Sequence, residues 1–283
     1  MEIIHSPAQM TAWANKARKN GKTVGLTPTM GAFHEGHLSL MRMVNKRADL
    51  SVTSIFVNPT QFGVGEDLDQ YPSNIDQDTA MAEKEGVDVL FVPTVNGMYP
   101  EGFNTTVIVQ GLTNTLCGRS RPGHFDGVTT VVAKLFNIIK PDLAIFGRKD
   151  FQQLAVINKM VRDLNWDIDI IDHPIVREPD GLAMSSRNTY LTATERQSAL
   201  ALSHSINYAR QKVREGEKNA PQLINEIKLI LRNQPHVVID YVNIVHQLTL
   251  NDQTEINSES VLLVAARVGT TRLIDNTILF DEN

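Results

Sequence analysis

The chain has 283 residues, 42% of them hydrophobic, and a net charge of -5. It is long enough to bury roughly 75% of its unfolded surface, in one large domain or two moderate ones. The acidic balance argues against nucleic acid as the main partner, and the single cysteine, Cys117, excludes an internal disulfide and any Cys/His zinc spacing.

The N-terminus, Met1 to Pro7, has neither a basic start nor a long apolar run, so no secretory signal is expected. The longest apolar run, Val261 to Ala266, is too short to span a bilayer. A soluble cytoplasmic protein with no membrane partner is the expectation. Ser6-Pro7 opens a helix, with serine as N-cap and proline at the first helical position, and Gly21 stops it. A strand over Thr23 to Thr27 leads into Pro28-Thr29-Met30-Gly31-Ala32-Phe33-His34-Glu35-Gly36-His37. An amphipathic helix leaves that motif and ends near Arg47. Leu50 to Val57 reads as a second strand, closed by Asn58-Pro59. Ser73 is placed to cap a helix reaching Glu85, and Asp88 to Val92 reads as a buried strand. Residues 94–122 read as irregular, with weak strand signal at Thr106 to Val109.

Phe125 to Ile139 carries apolar residues at helical spacing and is ended by Pro141. Leu143 to Phe146 is a short buried strand, followed by a helix over Phe151 to Leu164 and a strand over Asp167 to Ile171. Strand and helix alternate, and the strands are short and apolar. That pattern predicts an α/β fold: a Rossmann-like parallel sheet with helices on both faces. Beyond Pro174 it changes to two helices, Thr194 to Glu215 and Ala220 to Gln234, and strands near Val237 to Val245, Val261 to Val268 and Arg272 to Leu279. A smaller α+β C-terminal domain with an antiparallel sheet is predicted. The expected boundary gives 1–175 as a Rossmann-like nucleotide-binding domain and 176–283 as an α+β C-terminal lid domain.

In parallel sheets ligands bind beyond the carboxyl ends of the strands. The polar clusters at 28–37, 58–61 and 147–153 each follow a strand. A strand handing over to a helix through glycines and two histidines suits phosphate, because main-chain N–H groups and the positive end of the helix dipole sit there. His34 and His37, three apart, lie on one side of the first helical turn and can serve charge that builds in a transition state. The spacing is one residue short of a zinc-protease His-Glu-x-x-His motif. Gly21-Lys22-Thr23 lacks the earlier glycine of a Walker A loop and precedes a strand, and no Gly-x-Gly-x-x-Gly occurs.

Asn58 and Gln61 place two carboxamides near a strand end, where each can both donate and accept. Lys149 can pair with phosphate and Asp150 with ribose hydroxyls. Ser185, Ser186 and Arg187 can hold phosphate oxygens, and Arg119, Arg121 and His124 form a further basic turn. Asp76 and Asp78 are candidate Mg²⁺ ligands, as alternatives to plain surface acids.

Five motifs together resemble the pantothenate synthetase family, within the wider His-x-Gly-His nucleotidyltransferases. They are the 28–37 motif, Phe56-Val57-Asn58-Pro59-x-Gln61-Phe62, Arg121-Pro122-Gly123-His124-Phe125, Phe146-Gly147-x-Lys149-Asp150-x-Gln152-Gln153, and Asp180-Gly181-Leu182-Ala183-Met184-Ser185-Ser186-Arg187-Asn188. The resemblance implies a ligase that uses ATP as substrate, with Mg²⁺, to join pantoate and β-alanine through pantoyl adenylate, releasing AMP and pyrophosphate. It implies His34, His37, Lys149 and Arg187 as catalytic residues. For ATP it implies Met30, Gly31, Ala32, Phe33, His34, Glu35, Gly36 and His37, then Gly147, Arg148, Lys149 and Asp150, then Val176, Met184, Ser185, Ser186 and Arg187. For pantoate it implies Gln61, Gln153, Asn58 and His124, with Gln61 also meeting β-alanine. A homodimer is implied as well. Many relatives have an acid where this chain has Arg148. Two alternatives stay open on sequence alone: another adenylyltransferase of the superfamily, and a non-catalytic nucleotide-binding regulator.

Overall fold

The computed structural model describes residues 1–281 and divides the chain into two compact units. The first holds Met1–Arg148 and Val156–Pro174, and the second holds Lys149–Ala155 and the chain from Ile175 onward. The sequence predicts a single cut near residue 176. The short stretch after Arg148 groups instead with the later unit.

The first unit is built on six parallel strands in the order β1-β4-β3-β2-β5-β6. These are β1 (Glu2–Ile4), β2 (Val24–Thr29), β3 (Leu50–Ile55), β4 (Val89–Phe91), β5 (Leu143–Gly147) and β6 (Asp169–His173). The helices are α1 (Pro7–Lys19), α2 (Glu35–Asn45), α3 (Ile75–Lys84), α4 (Val95–Met98), α5 (Leu116–Ser120), α6 (His124–Ile139) and, from Val156 on, α7 (Phe151–Asp163). Ser6 caps α1 by accepting from the Gln9 N–H, with Pro7 in the first turn. Along α6 the apolar spacing becomes a buried stripe of Phe125, Val128, Val131, Val132, Leu135, Phe136 and Ile139.

Two local expectations are revised, and one strand is added to those expected. β1 is too short to carry a periodic signal and exists because β4 offers it a parallel edge. Asn74, not Ser73, caps α3, accepting from the Gln77 N–H at 3.1 Å. Residues 106–109 form no strand: the Val107 N–H donates to Thr130 Oγ1 at 3.0 Å, and the Val107 carbonyl accepts from Thr129 Oγ1. Two threonines of α6 thus take the main-chain groups that a sheet would otherwise have paired.

Strand order reverses at β2, whose chain continues to β3 on one side while β5 lies on the other, and that reversal is where open parallel sheets form a crevice. Pro28 helps to open it. The Val24 carbonyl accepts from Asp142 on the β5 side, and the Thr29 carbonyl accepts from Phe56 on the β3 side. Main-chain groups alternate sides along a strand, so the missing N–H of Pro28 falls toward β5. There the β2–β5 pairing has already ended, after Leu26↔Ala144.

The second unit carries α8 (Ala193–Arg214), α9 (Ala220–Arg232) and an antiparallel sheet β7-β8-β9 (Val237–His246, Ser260–Val268, Thr271–Ile278). Thr192 and Glu195 form a reciprocal capping box that starts α8. Its core joins Leu202, Ile206 and Val213 of α8 and Leu223, Ile227 and Leu231 of α9 to Leu262, Val264 and Ala266 of the central strand.

Candidate active site

The motif at 28–37 leaves β2 at the crevice. His34 is the N-cap of α2 with extended backbone, φ -140° and ψ 174°. The His34 and His37 rings stack, with centroids 4.1 Å apart and planes 29° apart. The glycine between them leaves room for this stack: a Cβ on Gly36 would stand 2.9 Å from the His34 ring. Phe33 is buried beside Met41, Ile55 and Leu90, and its ring meets His37 at 5.6 Å. The two imidazoles are therefore presented as a pair, backed by core.

Not every group in the motif is offered to a ligand. Glu35 is exposed and gives both oxygens to Arg42 at 2.7 and 2.8 Å. The N–H groups of Ala32 and Phe33 are taken by Asp78 at 2.8 and 2.7 Å. These bonds bear on the expected Mg²⁺ ligands, Asp76 and Asp78. Asp78 is buried with each oxygen committed to the main chain, and Asp76 is exposed on the first turn of α3. Among the described residues no group of three His, Cys, Asp or Glu is placed to hold a metal. The side chains do not fit a protein cage for Mg²⁺.

Beside the turn, Asn58 to Gln61 form a corner after β3. Asn58 is 1% exposed and organises it. Its Nδ2 donates to Gln61 Oε1 and to the Gly127 carbonyl, both at 3.1 Å. Its Oδ1 accepts from Thr60 Oγ1 and from the Tyr99 hydroxyl, both at 2.9 Å. Burial pushes the Tyr99 phenol above its ordinary range, which keeps it a donor. Gln61 Nε2 reaches Met30 Sδ of the histidine turn at 3.1 Å. Gly127 lets α6 approach: a Cβ there would lie 2.4 Å from the Thr60 carbonyl oxygen and 2.6 Å from the Gln61 nitrogen.

The basic turn closes the corner. Arg121 donates to both oxygens of Glu66. It also lies 3.0 Å from His124 Nε2. A guanidinium can only donate, so Nε2 accepts and His124 Nδ1 donates to the Gln61 carbonyl at 2.8 Å. Burial pushes the Glu66 carboxyl up, but hydrogen bonds from Arg121, its charge and the Gly63 N–H outweigh this and hold it at about 2. Gly147 ends β5 on the far side of the crevice. The Arg148 side chain is engaged by Asp172 of β6, its partner in a close ion pair.

The other expected residues lie in the second unit. The Lys149 carbonyl accepts from Asn276 Nδ2 of β9 at 2.9 Å. Asp150 is exposed, and Gln152 is buried with Gln153 less so. Residues 176–188 are an anchored hairpin rather than a linker. Met184 N donates to the Val176 carbonyl at 2.9 Å. Arg177 holds Asp275 of β9 through two bonds, 2.7 and 2.9 Å, and Arg196 of α8 holds Glu178 and Asp180. Ser185 Oγ accepts from the Arg187 N–H at 3.3 Å, so the serines and arginine share one tight turn.

Comparison with known proteins decides among the readings left open. A family model described as pantoate-beta-alanine ligase matches residues 2–278. This chain belongs to that family. It is an enzyme, a ligase of pantothenate biosynthesis. Pantothenate synthetases of Syntrophus aciditrophicus and Syntrophotalea carbinolica are 51% and 52% identical over 282 residues, covering 100% of this chain and 99% and 100% of theirs. The crystal structure of the Thermus thermophilus pantothenate synthetase matches with a TM-score of 0.95 at 41% identity, covering 99% of this chain and 100% of that one. That of the Francisella tularensis ligase, complexed with beta-gamma ATP and beta-alanine, gives 0.81 at 33%, covering 99% and 98%. Both other readings, an adenylyltransferase for a different acceptor and a non-catalytic regulator, are set aside. No helix among the described residues is long and apolar enough to cross a membrane.

Glu66, Tyr99 and Gly127 are the residues that sequence reading missed. A glycine within the first turn of an otherwise apolar helix is a signal of close approach and could have flagged Gly127. Nothing in local spacing marks Glu66 or Tyr99.

Proposed function

We propose that the histidine turn and the Asn58–Gln61 corner divide the first half-reaction between them. A carboxylate oxygen of pantoate attacks the α-phosphorus of ATP, and pyrophosphate leaves. The β-alanine amine then attacks the acyl carbon of the pantoyl adenylate, loses a proton, and AMP leaves. His34 and His37 supply donors to phosphate oxygens whose charge grows in the transition state. Family resemblance further assigns Lys149, Ser185, Ser186 and Arg187 to phosphate, through cationic and hydroxyl contacts, and Gly147, Asp150 and the Val176 main chain to the nucleoside. Arg148 offers the nucleotide its main chain, since its side chain is engaged by Asp172.

Gln61, Asn58 and His124 hold pantoate, Gln61 also meets β-alanine, and family resemblance assigns Gln153 to pantoate as well. The Gln61 Nε2 group suits this role because its partner, the Met30 thioether, is a weak acceptor that a carboxylate or hydroxyl oxygen readily replaces. Catalysis then consists of positioning and charge stabilisation, with no covalent enzyme intermediate.

The observation that carries this reading is the stacked His34–His37 pair at the mouth of the β2/β5 crevice, joined to the amide corner through Met30. It is tested by pyrophosphate release from the magnesium salt of ATP with each substrate omitted in turn. Release requires pantoate and not β-alanine, whereas AMP appears in step with amide only when β-alanine is added. Equal release without pantoate would remove the assignment. A cytoplasmic homodimer is part of the same proposal, supported by the presence of only one cysteine in the sequence for the compartment and by family resemblance for the dimer. A solution mass of one chain by light scattering would remove the dimer.

A further inference from the structure

Asp78 is the acid whose ordinary use is least clear from sequence, and its surroundings assign it a different task from metal binding. It is 3% exposed. Its Oδ2 accepts the Ala32 N–H at 2.8 Å, and its Oδ1 accepts the Phe33 N–H at 2.7 Å. These N–H groups follow a main-chain stretch with positive φ, +86° at Gly31 and +51° at Ala32. The two successive N–H groups converge on one carboxylate, the arrangement by which main-chain concavities bind anions. Here a carboxylate of the same chain fills that anion seat. Gly31 makes the seat possible: besides its φ, a Cβ there would stand 2.9 Å from Asp78 Oδ2 and 3.1 Å from Ile55 Cγ2. Ala32, a residue that rarely adopts positive φ, is held in it by the charge-assisted bond it donates.

The consequence runs outward from the main chain. Fixing the Phe33 N–H fixes where its ring enters the cluster of Met41, Ile55, Ala82, Val87 and Leu90. That ring meets His37 at 5.6 Å, and His37 stacks on His34 at 4.1 Å.

We propose that Asp78 is a positioning residue: its carboxylate occupies the anion seat of the turn, sets Phe33 beneath His37, and leaves the nucleotide phosphates to the histidine side chains. This deepens the assignment of His34 and His37 to phosphate and rests on it. Asp78→Asn places a side-chain NH₂ against a main-chain N–H, so one bond of the pair is lost. In that variant kcat is expected to fall on the order of 10- to 10²-fold, with KM for pantoate within about threefold of the parent. The Mg²⁺ concentration for half-maximal rate stays the same. A kcat within about twofold of the parent would overturn the proposal, as would a raised Mg²⁺ requirement, which would return Asp78 to metal binding.

Amide hydrogen exchange in the unsubstituted protein tests the seat even where the variant does not fold. The Ala32 and Phe33 amides are expected to be protected both without nucleotide and with ATP and pantoate present. Fast exchange in the free protein, or protection that arises only with ATP, would overturn the proposal. The two levels separate cleanly. A His37→Ala variant at parental rate removes the phosphate role and leaves amide protection standing, whereas lost protection removes the seat and leaves the phosphate role standing.

Discussion

The histidine turn at 30–37 and the amide corner at 58–66 are each held by an acid from elsewhere in the first unit or from the corner's own end, but the two acids grip different things. Asp78 takes main-chain N–H groups of the turn. Glu66 takes the Arg121 side chain, and Arg121 in turn reaches His124 and the Gln61 carbonyl. A main-chain grip fixes a shape whatever the neighbouring side chains are. A side-chain relay fixes particular atoms, and each link depends on the next. The first arrangement suits charge stabilisation at one point in the reaction, and the second suits recognition of one substrate. Changes in the turn should therefore fall on kcat, and changes in the corner on KM for pantoate.

The sharpest way to break this division is at the turn itself. His37→Ala is expected to lower kcat by on the order of 10²-fold or more, with KM for pantoate little changed. Steady-state rates at saturating ATP check it, and a loss confined to KM would place His37 in the corner's class.

At the corner, Gln61→Ala should raise KM for pantoate by roughly 10-fold or more, since a group built to hydrogen-bond substrate polar atoms is lost. Its kcat at saturating pantoate should fall less than that of His37→Ala. Gly127→Ala tests the same corner without touching substrate. Its Cβ cannot coexist with the Thr60 carbonyl at 2.4 Å. The turn must move, so KM for pantoate is expected to rise several-fold and the unfolding temperature to fall by several degrees, as overpacking costs about 1–3 kcal/mol. An unchanged KM would show that α6 does not set the corner.

The smallest expected effect concerns Glu66. Its carboxyl titrates at about 2 in the folded chain, below its ordinary 4.5. A depressed acid stabilises the fold fully above its unfolded value and loses that contribution as pH falls through its folded value. The stability gap between the parent and Glu66→Gln should thus be largest above about pH 4.5 and close toward pH 2. Denaturant midpoints across that range measure it, and a gap independent of pH would remove the ion pair from the corner's support.

How much of this was legible in sequence follows the same contrast. The alternation of short apolar strands with helices, and the α6 stripe, depend on periodicity within one element and were readable. So were the His34–His37 pair and the Asn58–Gln61 corner, because each is a local pattern after a strand. The supports were not. Asp78 is 45 residues from Phe33, and Arg121 is 55 from Glu66. Neither separation leaves a spacing signal, and an acid at the start of a helix reads equally well as a metal ligand. Residues 106–109 failed for a related reason: their β-prone composition was visible, but the threonine hydroxyls of α6 that take their main-chain groups were not.

The division of labour is tested most directly by a rapid-quench measurement of the first half-reaction. Enzyme in excess, the magnesium salt of ATP and saturating pantoate are mixed without β-alanine, and pyrophosphate is followed for the parent, His37→Ala and Gln61→Ala. The expected result is a burst slowed on the order of 10²-fold or more in His37→Ala, and a burst near the parental rate in Gln61→Ala once pantoate is raised to saturation. A parental burst in His37→Ala, or a slow burst in Gln61→Ala that no pantoate concentration restores, would contradict the account.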